Sequence, residues 1–286
     1  MSQSPSPRLE RSCGATDSDW IRIGPSRGGL ERIEARFAGH GFDPHRHDHY
    51  TIAVTLEGLQ AFGYRGAERR SRRGQVVVLH PDEVHDGHAG TPAGFRYRAL
   101  YVEPRLIQGA LAEPGLPLPF MPEAVSEDRR LLAAIWPALD DLDRPLEPLQ
   151  QDELLGDLAD ALTQADPSCP RRRLGIAHRT AVARAQEFLD ANITGPVDST
   201  ELEAVSGLSR YSLTRHFRAC LGTSPHRYQG MRRLERARHL MARGHGLADV
   251  AAESGFADQS HMTRQFKRAY GQTPGRWLVM TRETAS

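Results

Sequence analysis

The chain has 286 residues, 39% of them hydrophobic, and a formal net charge of +1, so its length accommodates two domains of ordinary size. The near-neutral total alone gives no indication of a nucleic-acid partner, but the charge is uneven. Residues 1–170 contain 18 Lys and Arg against 26 Asp and Glu, whereas residues 171–286 contain 19 against 10. A basic C-terminal half on a near-neutral chain is typical of a DNA-binding domain joined to a non-binding one.

The cysteines and the N-terminus indicate the compartment. Cys13, Cys169 and Cys220 are widely spaced and lack any metal-binding spacing, which favours a reducing cytoplasm without a disulfide framework. Residues 1–18 are rich in Ser, Pro and charge and lack the apolar core of a signal peptide, so we predict a disordered tail there. Because the sequence has no run of about 18 apolar residues, we expect a soluble cytoplasmic protein without a membrane partner.

Residues 19–125 contain short β-rich runs separated by glycines, which predict a small sandwich or barrel. The candidate strands are Ile33–Phe37, Thr51–Leu56, Gln60–Tyr64, Gln75–Leu79 and Tyr97–Tyr101.

Histidines are concentrated in this region, where seven of the 13 lie between His40 and His88. Most belong to two segments, PHRHDHY at residues 44–50 and GQVVVLHPDEVHDGH at residues 74–88. Histidines at the ends of strands can converge on a barrel opening, where ligand sites commonly form. We therefore predict a small-molecule pocket lined by five side chains: His45, His47, Tyr50, Glu83 and His85.

Two helical patterns follow in residues 126–165. Apolar residues recur at helical spacing in two sets: Leu131, Leu132, Ile135 and Leu139, then Leu154, Leu155, Leu158 and Leu162. Such a helical pair either covers the sheet or packs against a second subunit, and we expect one of its faces to form a homodimer. Residues 166–177, with the run Arg171–Arg173, predict an extended and solvated linker.

Residues 178–280 contain one helical module twice. Ser206-Gly207 matches Ser254-Gly255, and the set Phe217, Gly222 and Pro225 matches the set Phe266, Gly271 and Pro274. Each copy has a short helix that stops at a glycine, then a hydrophobic residue, then a polar residue able to cap the next helix. This order predicts two helix-turn-helix motifs.

The second helix of each copy has an inward apolar face and an outward polar face. The inward residues are Leu213, Phe217 and Cys220 in the first copy and Met262, Phe266 and Ala269 in the second. An outward face with Arg and hydroxyl groups suits the major groove, because Arg can fork onto guanine. A solvated amphipathic helix is the alternative for either copy alone, and the matched pair argues against it.

The outward residues give the predicted DNA contacts. Arg215 and Arg264 are the candidates for contacts with bases. The supporting residues are Tyr211, Thr214, Gln259, Ser260 and His261, and the candidates for phosphate contacts are Arg210, Arg218 and Lys267.

Several motifs in the second copy resemble the AraC/XylS family of bacterial transcription regulators. They are Gly255-Phe256, Asp258-Gln259-Ser260, Arg264, Phe266-Lys267-Arg268, Gly271 and Thr273-Pro274. Residues 231–240 also resemble the linker helix that joins the two helix-turn-helix motifs in this family, and we expect it from about Pro225 to Arg243. The N-terminal half is similar to a cupin barrel, the effector-binding domain of many such regulators.

The cupin resemblance also bears on metal binding. In metal-binding cupins an HxH pair and a later histidine converge with a carboxylate. His45, His47 and His85 match the histidine positions, and His49 is an additional candidate. Thr51 and Ile52 stand where the carboxylate is usual. A divalent metal such as zinc, direct contact with an effector, and exposure to solvent stay open as alternatives for these histidines.

The resemblance implies a multidomain protein in which a small cupin-like β-barrel with helices precedes an all-α domain with two helix-turn-helix motifs. It implies a homodimeric regulator of transcription whose partners are promoter DNA, a small-molecule effector and RNA polymerase. Two alternatives are a cupin-type metalloenzyme with an accessory DNA-binding domain and a barrel that serves only for dimerisation. The missing carboxylate and the absence of a second acid/base pair count against the former.

Overall fold

The computed structural model describes residues 19–26, 28–111, 116–168 and 176–282. The predicted disordered tail, Cys13, Cys169 and the run Arg171–Arg173 lie outside these residues. In the part of the chain that is described, each helix falls short of the length or the apolar character needed to cross a membrane.

The N-terminal half is rich in β-structure. Its described strands are β1 (Trp20–Ile23), β2 (Leu30–Phe37), β3 (His40–His45), β4 (Tyr50–Tyr64), β5 (Ala67–Arg72), β6 (Val76–Leu79), β7 (His85–Ala89), β8 (Phe95–Val102) and β9 (Val125–Ser126). One antiparallel layer has the order β1-β2-β8-β4-β6-β9, and β3, β7 and β5 continue from the other half of β4. This arrangement confirms the predicted cupin-like domain.

Strand β4 joins the two layers because it bends at Gly58. Residues 51–54 pair with β6, whereas residues 59–64 pair with β5. Gly58 has φ +71°, and a Cβ atom there would lie 2.0 Å from the carbonyl oxygen of Gly94, so only glycine permits the bend. The predicted strands Thr51–Leu56 and Gln60–Tyr64 are therefore one strand.

Three helices pack on the outer face of the larger layer: α1 (Pro104–Ala110), α2 (Arg129–Leu139) and α3 (Pro148–Ala165). Alternate side chains of β4 contact them, because successive side chains of a strand point to opposite faces. The apolar stripes of α2 and α3 are buried here, and five of their residues are 0% exposed: Leu131, Ile135, Leu139, Leu158 and Leu162. The expectation that one of these faces forms a dimer is wrong, because the sheet and the neighbouring helices of the same chain cover them.

The C-terminal half is helical. Its described helices are α4 (Ile176–Ala191), α5 (Ser199–Ser206), α6 (Arg210–Leu221), α7 (Pro225–Ala242), α8 (Leu247–Glu253), α9 (Gln259–Tyr270) and α10 (Pro274–Arg282). We call α5–α6 the first unit and α8–α9 the second unit. The side chains of Ser209 and Asp258 accept amide hydrogen bonds at the starts of α6 and α9, and left-handed Gly222 and Gly271 end the two helices.

Helix α7 connects the cores of the two units. Tyr228 packs in the first core with Phe217, whereas Met231 packs in the second core with Phe266. The last helix, α10, also reaches the barrel, where Met280 is 1% exposed among the core side chains. The two halves of the molecule therefore share apolar contacts.

Candidate functional site

The polar faces of α6 and α9 are accessible. Tyr211 is 74% exposed, and Arg215 and Arg218 are exposed on the same side of α6. Ser260 and Arg264 are exposed on the corresponding side of α9. The residues predicted to face inward on these helices are buried, so both helices present the polar face that the sequence indicates.

Other predicted DNA contacts have local partners. The Arg210 guanidinium lies over the Tyr211 ring at 5.1 Å from its centroid, and the Thr214 hydroxyl donates to the carbonyl of Arg210 at 2.8 Å. Gln259 is exposed in the first turn of α9, where His261 packs edge-on against Phe256. These contacts hold the side chains beside the exposed arginines.

Lys267 differs from the other predicted contacts. Its Nζ lies 2.6 Å from Oδ2 of Asp43 in strand β3. The barrel therefore reaches the polar face of the second unit.

A cleft of about 460 Å³ lies between the open end of the barrel and helices α7, α9 and α10. On the barrel side its apolar wall includes Ile21, Ile33 and Phe42, and on the helical side it includes Trp277. Arg238 of α7 also lines the cleft and forms an ion pair with Glu31 at 2.8 Å. A ligand in this cleft would contact both halves of the molecule.

Three histidines converge at the inner end of the cleft. His45 and His47 line it, and the His85 ring lies 4.2 Å from the ring of His45 and 4.9 Å from that of His47. All three side chains are buried, and one nitrogen of each lies within 4.8 Å of the others. The sequence prediction that these histidines lie together therefore matches the geometry.

Hydrogen bonds fix the tautomer of all three rings. Nδ1 of His45 contacts the carbonyl oxygen of Asp43 at 2.8 Å, Nδ1 of His47 contacts that of His49 at 3.1 Å, and Nδ1 of His85 contacts that of Glu83 at 3.0 Å. A carbonyl oxygen only accepts, so each Nδ1 carries the proton and each Nε2 keeps a lone pair. Such an outer hydrogen bond is typical of metal-ligating histidines.

The cluster is neutral near pH 7. Burial, followed by the neighbouring imidazole of His85, lowers the pKa of both His45 and His47 well below the ordinary value. Burial also lowers the pKa of His85 to about 4. Neutral imidazole is the form that ligates metal ions, and three nitrogen donors fit a zinc ion that takes a further ligand. The hydroxyl of Thr51, 3.2 Å from Nε2 of His47, stands in place of a carboxylate.

Comparisons with known proteins identify the family. The AraC-like ligand binding domain matches residues 27–159, and a helix-turn-helix domain matches residues 202–279. The chain belongs to the AraC family of transcription regulators. It is 27% identical over 235 residues to the HTH-type transcriptional regulator YbfI of Bacillus subtilis, covering 80% of this chain and 86% of the relative. It is 26% identical over 253 residues to the HTH-type transcriptional activator RhaS of Yersinia pestis, covering 85% and 91%.

The fold of this AraC-family chain is also similar to that of ToxT from Vibrio cholerae. The crystal structure of wild-type ToxT bound to an unsaturated fatty acid superposes with a TM-score of 0.62. The match covers 94% of this chain and 98% of ToxT at 13% sequence identity, so the likeness concerns the fold alone.

Two predicted pocket residues are not in the cleft of this AraC-family chain. Tyr50 points to the other face of β4, where it is 1% exposed and its hydroxyl donates to the carbonyl of Pro119 at 2.8 Å. The strand alternation that directs Thr51 into the barrel directs Tyr50 toward the helices. Glu83 is turned toward Arg65, with which it forms an ion pair at 3.1 Å. Both assignments to the pocket are wrong.

A buried arginine between the two halves was missed from the sequence. Arg232 of α7 contacts Oε1 of Glu103 at 2.9 Å and Oδ2 of Asp48 at 3.0 Å, both in the barrel half, and Glu235 of its own helix at 2.9 Å. His49 completes this group, 2.9 Å from Asp48 and 3.5 Å from Glu235. The signal in the sequence was the acidic excess of the N-terminal half, which is partly paired with the basic C-terminal half.

Proposed function

We propose that this regulator binds its effector in the cleft between the barrel and the helical half. The observation that supports this proposal is that residues of both halves line the cleft. Among them are His45 and His47 on one side and Arg238 and Trp277 on the other. A ligand that contacts both halves binds the protein with one affinity when the halves are together and with another when they separate. Effector binding is therefore coupled to the position of the DNA-binding helices.

The lining of the cleft favours an effector with an apolar body and a polar end. Ile21, Ile33, Phe42 and Trp277 supply an apolar wall. The histidine cluster supplies nitrogen lone pairs that accept hydrogen bonds from a hydroxyl or protonated acid. The structure of ToxT with an unsaturated fatty acid provides a related fold with a ligand of this general chemistry.

We further propose that His45, His47 and His85 are able to hold a divalent metal at the inner end of the cleft. The support is that one nitrogen of each ring lies within 4.8 Å of the others and that a carbonyl oxygen engages each Nδ1, which leaves the lone pair on Nε2. A bound metal would supply a positive charge for an anionic effector group. The imidazoles would then orient that group toward the cleft.

DNA contacts are proposed for both units. Arg215 and Arg264 contact bases, and the supporting and phosphate-contacting residues are Arg210, Tyr211, Thr214, Arg218, Gln259, Ser260, His261 and Lys267. The assignment is supported by their place on α6 and α9, where all of them are exposed except Thr214 and His261, which are half-buried. With α7 between them, the two helices would reach successive segments of the major groove about 34 Å apart.

The partners follow from this role. We propose a cytoplasmic activator that contacts RNA polymerase, as the activator RhaS is among its relatives, and that has no catalytic activity. We also propose a homodimer, formed by a surface other than the buried stripes of α2 and α3. Sedimentation velocity of the full chain at micromolar concentration tests the dimer, and a purely monomeric profile would exclude it.

The effector site is tested with untagged protein. Metal content and copurifying small molecules are measured by mass spectrometry in the wild type and in His47→Ala and His85→Ala, with His88→Ala as a surface control. DNA affinity is then compared with and without the molecule that copurifies. The expected result is loss of the response in the two cluster variants only. An unchanged response in both would contradict the pocket assignment, whatever the metal content.

A further inference from the structure

The end of α9, which we call the second recognition helix because DNA contacts are proposed for it, is joined to strand β3 by backbone hydrogen bonds. The amide of Asp43 donates to the carbonyl of Gly271, and the amide of Arg46 donates to the carbonyl of Arg268, both at 3.1 Å. The side chain of Gln272 adds a bond to the carbonyl of Gly41 at 3.2 Å. The last carbonyls of a helix have no partner within the helix. Strand β3 and the residue that follows it therefore supply donors for the carbonyl of Arg268 in the last turn of α9 and for the carbonyl of Gly271, the residue that caps it.

The contact is close enough to need glycine at the end of α9. Gly271 has φ +67°, and a Cβ atom there would lie 2.8 Å from both the carbonyl oxygen of Asp43 and Nδ1 of His45. The same carbonyl of Asp43 accepts the hydrogen bond that orients the His45 ring. Asp43 thus touches the histidine cluster through its carbonyl and the second unit through its amide.

The carboxylate of Asp43 faces the polar surface of α9. Its Oδ2 pairs with Nζ of Lys267 at 2.6 Å, and its Oδ1 contacts His40 at 2.9 Å. Lys267 lies three residues after Arg264, on the same side of the helix. Because Lys267 is one of the residues proposed above to contact phosphate, a carboxylate on its ammonium group would compete with a DNA phosphate for the same partner.

The first unit has no equivalent contact. Within the described residues, no carboxylate lies within ion-pair distance of Arg215 or Arg218 on α6. The N-terminal half touches this unit at helix α1, which packs beside α6, and at Pro81, which packs against Gly222. Among the described residues, the polar face of α6 therefore forms no ion pair with the barrel half, whereas Lys267 on α9 forms one with Asp43.

We propose that the barrel and DNA compete for the second recognition helix, with Asp43 in the place of a phosphate on Lys267. The proposal rests on the DNA-binding role of α9 proposed above. In the closed arrangement the first unit binds DNA alone, and the second unit binds after β3 releases α9. The histidine cluster touches the same strand, so an effector bound there acts on this release.

The first test compares Asp43→Asn with the wild type. The probe is a duplex that the wild-type protein selects from a random-sequence library, and affinity is measured by fluorescence anisotropy. Loss of one partly exposed ion pair should tighten binding by about 2- to 5-fold. Glu68→Gln is the matched control, because it removes one barrel carboxylate whose partner is Arg70 on the same strand.

The gain in DNA affinity from Asp43→Asn should disappear in a protein that already carries Lys267→Gln, because the Asp43 carboxylate then has no lysine partner to lose. No gain in Asp43→Asn, an equal gain in Glu68→Gln, or a gain that persists in the Lys267→Gln background would overturn the competition. If none of the variants binds DNA, the proposed function fails and this inference fails with it. If the wild type binds DNA and Asp43→Asn binds no better, the competition is contradicted while the proposed function stands.

A second test needs no substitution. Hydrogen exchange of the wild-type protein is followed by mass spectrometry with and without saturating amounts of the selected duplex. Peptides that cover residues 40–47 should exchange faster with DNA, because the amides of Asp43 and Arg46 lose the carbonyls of α9 as acceptors. Unchanged or slower exchange would mean that β3 stays on α9 in the DNA complex, and the competition would be excluded.

Discussion

The two helix-turn-helix units share one internal design and differ in what the barrel does to them. Both have an N-cap side chain, a buried phenylalanine and a left-handed glycine at the end of the second helix. In the first unit that glycine rests on the side chain of Pro81, whereas in the second it rests on the backbone of Asp43. Only the second contact adds backbone hydrogen bonds and an ion pair. A repeated sequence thus dictates the fold of each unit but not its accessibility to DNA.

The buried arginine of α7, Arg232, is a further attachment between the helical half and the barrel half. Arg232 forms ion pairs with Asp48 and Glu103 of the barrel half. Burial lowers the pKa of its guanidinium, but these carboxylates and Glu235 outweigh burial and raise the pKa above the ordinary value. Helix α7 is therefore attached to the barrel near its middle. The second unit, which follows α7, is attached again through β3.

The largest expected effects come from the matched core residues. Phe217 and Phe266 are both 0% exposed, so Phe217→Ala and Phe266→Ala should each cost about 3–5 kcal/mol of stability. Phe266 packs against Tyr270 and Trp277, which line the cleft. We expect Phe217→Ala to speed hydrogen exchange mainly in α5 and α6, and Phe266→Ala to speed it in α9 and in β3 as well. Equal patterns of exchange in the two variants would contradict the asymmetry.

The next effect concerns His80, which precedes the Pro81 contact of the first unit. Burial lowers the pKa of His80 to about 4, below its ordinary value of about 6.5. The folded state thus binds the proton less readily, so stability is fully present above about pH 6.5 and falls with pH down to about 4. The loss should approach 3 kcal/mol, about 1.4 kcal/mol for each pH unit of the shift.

Urea unfolding between pH 4 and pH 7 measures this loss as the difference between the wild type and His80→Gln. Taking the difference removes the contribution of the other buried histidines. The variant should be less stable at pH 7, because Nε2 of His80 accepts the amide hydrogen of Met121, and it should depend less steeply on pH. Parallel pH profiles would mean that His80 does not titrate in this way.

The sequence predicted the helical half in more detail than the barrel. Helices begin and end at local signals, and Ser209, Gly222, Asp258 and Gly271 mark the ends of α6 and α9 in the sequence as they do in the structure. The strand β5 has no such signal, because its AERRSR segment is charged rather than alternating. It pairs with β4 at one edge, where charged side chains face solvent.

The site was predicted in part for a similar reason. His45, His47 and His85 were found from residue type and proximity to strands, but the side to which a strand directs each residue depends on its register. A shift of one position reverses the face, which is why Tyr50 was placed in the pocket in error. The contact between Asp43 and Lys267 joins segments far apart in the sequence, and no local pattern specifies it.

Arg215 and Arg264 test whether the two units read DNA equally. Each alanine variant should lose about 1–3 kcal/mol of discrimination between the selected duplex and a random duplex. Arg264→Ala should lose more of this discrimination in the Asp43→Asn background than in the wild type, because release of α9 exposes the polar face of that helix to DNA. Anisotropy titrations on both duplexes measure the effect. Equal losses on the two duplexes would identify phosphate contacts instead of base contacts.

The smallest expected effect belongs to the ion pair that joins the first unit's side of α7 to the barrel. Arg227 lies 2.8 Å from Asp82, but burial raises the pKa of Asp82 and lowers the pKa of Arg227. Both shifts disfavour the charged forms, which indicates that desolvation outweighs the attraction within the pair. Arg227 also lies on α7 and not on α6 or α9, so loss of this pair frees no residue that is proposed to contact bases.

Asp82→Asn should therefore change DNA affinity by less than about 2-fold, which is below the gain expected for Asp43→Asn. The same anisotropy titration compares the two variants at equal ionic strength. If Asp82→Asn tightens binding as much as Asp43→Asn, then loosening any contact with the barrel is enough to favour DNA, and the second unit is not singled out. If it does not, the difference between the units lies in Asp43, since both variants remove one carboxylate that faces the helical half.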